Sequence, residues 1–238
     1  MCFRKRLLFL AALAMGLSTS NVTPSAGAHA SSEDSPDPGW KNSTPAPLAL
    51  PRAGGLTELQ KAYLDTYSIL SQDNACSNFF GGPGAIDALN GLTQRLQPTF
   101  LGKDIAVRMK GKIETVTTTN GFWYRLFQKA EINLNGPFYQ GNLLPGREII
   151  PNIGKFSPNT REARVTVLLH ELGHLVLTRN GSSLLPDDGD NPLISRENTE
   201  RIIAVCGDRI RGLHNITLEE EFEALQSAQA PVSVARKD

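Results

Sequence analysis

Cysteine is scarce, with three residues in a chain of 238, too few for a disulfide-dense scaffold. An excess of charge is also missing, since 24 Lys and Arg balance 24 Asp and Glu. That balance excludes a strongly basic nucleic-acid binder and an acidic solvating chain as the main theme. There is no internal repeat. The N-terminal apolar run, Leu7–Leu17, has 11 residues, short of the about 20 needed to cross a bilayer. Gly81–Gly84 lacks the Lys-Ser/Thr of a phosphate loop and reads as a turn. What remains is ordinary for a globular chain, 40% hydrophobic and 20% charged. Fifteen Pro and 21 Gly favour long loops over a helical bundle. With the ends set aside, the length suits one domain of about 150–180 residues, enough to bury a core.

The N-terminus reads as an address. Arg4, Lys5 and Arg6 precede the apolar run, and small residues follow at Ala26-Gly27-Ala28 and Ala28-His29-Ala30. A charged start, a short apolar stretch and an A-x-A site describe a secretory signal peptide over residues 1–30. Cleavage there leaves 21 basic against 24 acidic groups and removes Cys2. No stable membrane anchor is then expected, and the chain is expected to be secreted or periplasmic. Cys76 and Cys206 are expected to pair in that oxidising setting, the alternative being two buried free thiols.

Residues 31–55, rich in Ser, Pro, Gly and Ala, are expected to form a flexible lead-in, because such a segment cannot offset its ordering entropy. Residues 56–226 are expected to form the domain and 227–238 a disordered tail. Apolar residues at 56, 59, 63, 64, 67 and 70 predict an amphipathic helix over Leu56–Leu70, and Ala85–Leu96 a second. Ile105–Met109 and Ile113–Thr117 read as two strands, and Tyr124–Leu134 as a third, ended by Asn135-Gly136-Pro137. Phe138–Ser157 reads as loop. The clearest helix runs from Arg161 to Arg179, with Asn159-Thr160 to cap it and Asn180-Gly181 to stop it. Ser195 is expected to cap a helix over Arg196–Cys206 ended by Gly207, and Thr217 to start a last short helix. Phe122-Trp123-Tyr124 and Phe79-Phe80 read as packing aromatics.

Within the long helix stands His170-Glu171-Leu172-Gly173-His174, an H-E-x-x-H motif. A helical repeat of 3.6 residues projects both imidazoles from one face, one turn apart, where they can share one Zn²⁺. Glu171 lies about 100° round the helix and can instead reach a water at the metal, as general base. Gly173 costs a helix about 1 kcal/mol against Ala, which predicts that something packs closely there. No Ser-His-Asp or Cys-His arrangement competes for these histidines.

With its apolar lead Val165–Leu169, this helix resembles the active-site helix of the zincin superfamily of zinc metallopeptidases. The stretch Ile132–Tyr139 lies where zincins carry an edge strand that binds extended substrate. From residue 124 to 206 the chain also resembles small exported bacterial proteins that share a HELGH helix. The resemblance implies an α+β fold, with a small mixed sheet packed on the HExxH helix and further helices at both ends. It implies a peptide or protein substrate and hydrolysis of peptide bonds in a cleft between helix and edge strand.

The third ligand is less defined. A metzincin would carry Gly and His where this chain has Leu177 and Asn180, so that subclass is disfavoured. A gluzincin uses a glutamate on a following helix, for which Glu200 is the candidate. An aspzincin-like site uses an aspartate, with Asp187, Asp188 and Asp190 available. The longer resemblance includes an Asp-Gly step before Ser-x-x-Asn-Thr, here Asp188-Gly189 and Ser195–Thr199, which favours Asp188 over Glu200. His214 ranks third, and Ser195 or Asn198 are candidates for supporting the site by hydrogen bonds. The expected function is thus zinc-dependent peptide hydrolysis by His170, His174, Asp188 and Glu171. The alternatives are a secreted zinc-binding or interaction module without turnover, and a structural domain held by Cys76 and Cys206.

Overall fold

The computed structural model describes residues 56–142, 149–189 and 191–213. The expected signal peptide, lead-in and tail, the helix from Thr217, Asp190 and His214 lie outside these residues. The fold is mixed α+β, with five α-helices and a three-stranded sheet among the described residues.

Helix α1 (Glu58–Ser71) starts at a reciprocal cap. The Gln60 amide donates to the Thr57 hydroxyl at 3.2 Å, and the Thr57 amide to Gln60 Oε1 at 2.9 Å. Its inner face buries Ala62, Tyr63, Leu64, Ile69 and Leu70. Helix α2 (Ala75–Phe79) is capped by the Asn74 side chain. The Gly-Gly-Pro-Gly run forms a turn of 3-10 helix into α3 (Ala85–Arg95). Gly84 admits the ring of Phe122 there, for a Cβ on it would stand 2.5 Å from Phe122 Cγ.

The sheet has the order β1-β3-β2. The four-residue strand β1 (Leu96–Thr99), which hydrophobic alternation does not reveal, pairs parallel to β3 (Trp123–Asn133). Pro98 is tolerated because β1 lies at an edge, where a missing N–H can face away from the ladder. The two expected strands at 105–109 and 113–117 are one strand, β2 (Val107–Thr117), antiparallel to β3. A bulge between Lys110 and Ile113 interrupts its register, with Gly111 at φ +85°. Strand β3 is therefore central, and Ile132 pairs with Pro98 on one side and Val107 on the other. The expected edge strand at Ile132–Tyr139 is thus corrected. Its start is the middle of the sheet, and beyond Asn133 the chain turns, with the Gly136 amide on the Asn133 carbonyl. The buried Asn133 side chain binds the Leu101 amide and the Gly102 and Ile105 carbonyls, closing the β1–β2 loop on that turn.

Helix α4 (Arg161–Leu175) is capped by the Thr160 hydroxyl on the Ala163 amide. It is buried nearly all round, and only its charged residues Arg161, Glu162, Arg164 and Glu171 stay partly exposed. It packs among α1, α3 and α5 (Pro192–Gly212). Leu168, Leu169 and Leu172 are wholly buried, each contributing about 1.5–3 kcal/mol of apolar burial. Arg161 grips the buried Asp65 through Nε at 2.8 Å and Nη2 at 2.6 Å, tying α4 to α1. Cys76 and Cys206 are joined by a disulfide that ties α2 to α5.

Helices α4 and α5 differ from expectation in their bounds. Helix α4 ends at Leu175 rather than Arg179, because Val176 turns extended and bridges Tyr124 while the Leu177 amide donates to the Trp123 carbonyl. Asn180-Gly181 is then the tip of a tight hairpin, with Gly181 at φ +80° and the Thr178 amide on the Ser182 carbonyl. Helix α5 starts earlier than Arg196 and runs past Gly207. Asn191 caps it with Pro192 in its first turn, a stronger start than Ser195. No helix among the described residues is long and apolar enough to cross a membrane.

Candidate metal centre

His170 and His174 share the face of α4 that meets α5 and the segment between them. Both are buried, 7% and 4% exposed. Their rings lie 4.9 Å apart at 70°, which brings the two Nε2 atoms to 3.1 Å. The carboxylate of Asp188 completes a triangle, Oδ2 at 3.0 Å from His170 Nε2 and Oδ1 at 3.4 Å from His174 Nε2. A tetrahedral ion with bonds of ~2.0–2.1 Å holds its ligands about 3.3–3.4 Å apart, close to this spacing. Two imidazole nitrogens and one carboxylate oxygen are also the donor chemistry of a divalent transition-metal site. The cluster can hold a metal ion.

The residues between α4 and α5 deliver Asp188. The Leu184 amide donates to the Val176 carbonyl at 2.9 Å, and the Leu185 amide to the Gly173 carbonyl at 2.9 Å. Leu185 is wholly buried, and its Cδ1 lies 2.4 Å from where a Cβ on residue 173 would stand. This is the close approach that the glycine inside the motif foretells. From the other side, Asn198 Nδ2 donates to the Pro186 carbonyl at 2.9 Å. The Asn191 amide closes on the Asp188 carbonyl at 2.8 Å, just before α5 begins.

The histidines are held differently. His170 Nδ1 lies 3.0 Å from Thr199 Oγ1, and that hydroxyl donates to the Ser195 carbonyl at 3.0 Å. His174 Nδ1 meets no hydrogen-bond partner of ordinary geometry. Its backbone is fixed instead, by Arg125 Nε on the His174 carbonyl at 2.8 Å.

The electrostatics follow from this packing. Burial works to raise the Asp188 pKa, but hydrogen bonds and positive charge from both histidines outweigh it and hold the carboxyl far below its usual range. Burial likewise works to lower His174, and the Asp188 hydrogen bond with the charge of Glu171 overcomes it, so the pKa rises. Glu171 is half-buried, next to His170 along α4. Burial pushes its pKa up against the pull of the two imidazoles, and Asp188 and Asp187 add to the rise. Once both Nε2 atoms are free of protons, His170, His174 and Asp188 present three lone-pair donors to one point, beside a carboxyl, Glu171, that is not one of them.

Of the residues expected here, the structure brings together His170, His174 and Asp188, with Glu171 alongside. It does not bring Glu200, the alternative third ligand. That side chain is 65% exposed on α5 and faces Arg196 at 3.8 Å. Asp187 is exposed and caps the Gly189 amide at 3.2 Å. Asn198 supports the site through the Pro186 carbonyl, and Ser195 through its backbone alone. Sequence reasoning did not single out Thr199. Its signal was its place in the Ser195–Thr199 segment, four residues after Ser195 on the helix that follows the acidic loop. Arg125 had no local signal, since its partner is 49 residues away. No protein-family model, curated protein or solved structure matches the chain.

Proposed function

We propose that the chain is an exported zinc metallopeptidase with a zincin-like arrangement of its metal helix and sheet. One observation carries the reading, the convergence of His170, His174 and Asp188 within hydrogen-bonding distance of one another, with Glu171 next on the same helix. The residues fit Zn²⁺ by donor type, by spacing and by tetrahedral demand. When bound, Zn²⁺ supplies Lewis acidity to a substrate carbonyl and lowers the pKa of a water.

The protein's own groups do the rest. His170 and His174 present Nε2, and Asp188 presents a carboxylate whose negative charge the site favours. Glu171 takes a proton from the attacking water at its carboxylate and returns it to the departing amine. Its half-buried position limits competing solvent and strengthens the charges acting on it. The substrate class is a peptide or protein. The Cys76–Cys206 disulfide supports export, since such bonds persist in oxidising compartments.

The test is cleavage of a mixed peptide library by the zinc-loaded protein, with and without Glu171→Ala. Cleavage by the wild type that disappears in Glu171→Ala, with zinc still bound, is the expected result. A folded, zinc-loaded wild type that cleaves nothing overturns the peptidase reading in favour of a zinc-binding module.

A further inference from the structure

Two residues of α5 each hold one part of the donor cluster from behind. Asn198 fixes the loop of Asp188 through the Pro186 carbonyl, and Thr199 meets His170 directly. Thr199 is the more informative of the two, because its hydrogen bonds decide where a proton sits. The Ser195 carbonyl can only accept, so the single hydroxyl proton of Thr199 is committed to it at 3.0 Å. The hydroxyl oxygen then has only lone pairs to offer His170. Nδ1, 3.0 Å away, must supply the proton of that hydrogen bond.

The opposite pull comes from the cluster itself. Asp188 Oδ2 stands 3.0 Å from His170 Nε2. A carboxylate at that distance invites the ring to carry its proton on Nε2 and donate it. A ring in that tautomer has no lone pair facing His174 and Asp188, and it cannot be a ligand through Nε2. The tautomer of a histidine is set by the hydrogen bond its other nitrogen makes. Here the two nitrogens face competing acceptors, one of them an ion-pairing group and the other a hydroxyl fixed within α5.

We infer that Thr199 is a positioning residue. It holds His170 with the proton on Nδ1 against the attraction of Asp188, and so keeps Nε2 free as a donor. The inference rests on reading the cluster as a metal centre. Thr199 is buried, 9% exposed, and its hydroxyl is spent on Ser195 and His170. Its role is to orient and to fix a proton, without contact with substrate.

The experiment compares wild type, Thr199→Val and Thr199→Ser. Valine keeps the shape and removes the oxygen, and serine restores the oxygen. Long-range ¹H–¹⁵N correlation on the metal-free proteins at mildly alkaline pH reads which His170 nitrogen carries the proton. Competition with a chromophoric chelator reads Zn²⁺ affinity, and circular dichroism melts establish that each variant is folded. Wild type and Thr199→Ser are expected to show the proton on Nδ1. Thr199→Val is expected to show it on Nε2 and to bind Zn²⁺ about 10–100-fold more weakly, the usual cost of losing such a support.

Equal affinity and an unchanged ring spectrum in Thr199→Val overturn the positioning role and leave the metal centre standing. Failure of Thr199→Ser to recover either readout also overturns it, for the hydroxyl would then not be the active part. A wild type that takes up no Zn²⁺ overturns the metal centre, and the positioning role with it.

Discussion

Leu185 occupies the space that a side chain on Gly173 would need. A Cβ there would lie 2.4 Å from Leu185 Cδ1 and 2.6 Å from its Cγ, and the Leu185 amide donates to the Gly173 carbonyl. The glycine inside the H-E-x-x-H helix is therefore where the loop bearing Asp188 docks. Two effects of Gly173→Ala oppose each other. Alanine favours the helix by about 1 kcal/mol, while overpacking a full site costs about 1–3 kcal/mol. Leu185 is wholly buried and cannot swing into solvent, so overpacking wins. Gly173→Ala is expected to lower stability by up to about 2 kcal/mol in urea titration. It is also expected to weaken Zn²⁺ binding, because Asp188 follows Leu185 by three residues.

Zn²⁺ is expected to stabilise the fold by mass action. A ligand held only by the native state adds about 2.7 kcal/mol at one hundred times its dissociation constant. Thermal melts with increasing Zn²⁺ are expected to rise in Tm and to fall back on addition of a chelator. His174→Ala and Asp188→Asn are each expected to abolish the rise. A Zn²⁺-dependent Tm that persists in both variants would place the ion elsewhere.

Tyr124 predicts an alkaline weakness. Its ring is wholly buried and its hydroxyl has no hydrogen-bond partner. Burial pushes the phenol pKa up to about 12, with the charges of Asp87 and Glu114 adding to the rise and Arg95 opposing it. The unfolded phenol titrates near 10. Between those values the folded chain keeps a proton that the unfolded chain has lost. The contribution is therefore fully present below pH ~10 and is lost as pH rises toward 12. Tyr124→Phe is expected to flatten that decline in stability measured from pH 9 upward. At pH 7 it is expected to be neutral or stabilising, since it removes an unpaired buried polar group.

The disulfide bridges residues 130 apart in sequence, a long loop to close. Replacing both cysteines, Cys76→Ala with Cys206→Ala, is expected to cost about 2–5 kcal/mol in denaturant titration. Cys206 stands on α5, about two turns beyond Thr199. The same variant is therefore expected to bind Zn²⁺ more weakly, as chelator competition will show. Full retention of affinity would mean that α5 stays docked without the bond.

The legible parts of this molecule were those decided within a few residues. The spacing of His170 and His174 fixes their shared face by helix geometry alone, and Thr160 marks its own cap. Gly173 announced a close neighbour without saying which. Asp188 could be favoured among several acids only through a resemblance, because the contacts that bring it to His170 span 18 residues. Glu200 was excluded by nothing local. Its exclusion comes from the face that α5 turns inward, where Asn198, Thr199 and Cys206 are buried. Val176 leaves the helix for a bridge to Tyr124, a partner far away in sequence, which outweighed helix-compatible residues up to Arg179. Strand β1 was hidden because a four-residue strand containing Pro98 carries almost no periodicity. Its partner on β3 supplies what its own sequence does not.

The bulge in β2 has a bearing on how copies of the chain treat one another. Strand β2 lies at the rim of the sheet, where free N–H and C=O groups would template growth of a fibre. Arg108, Lys110 and Lys112 place basic side chains along that rim, with Lys110 paired to Glu131 at 2.8 Å, and charged residues of this kind blunt an edge against further pairing. Gly111, at φ +85° within the bulge, breaks the flat run of ladder positions that a second strand would need. The same short segment that adjusts the register of the sheet thus guards it against aggregation.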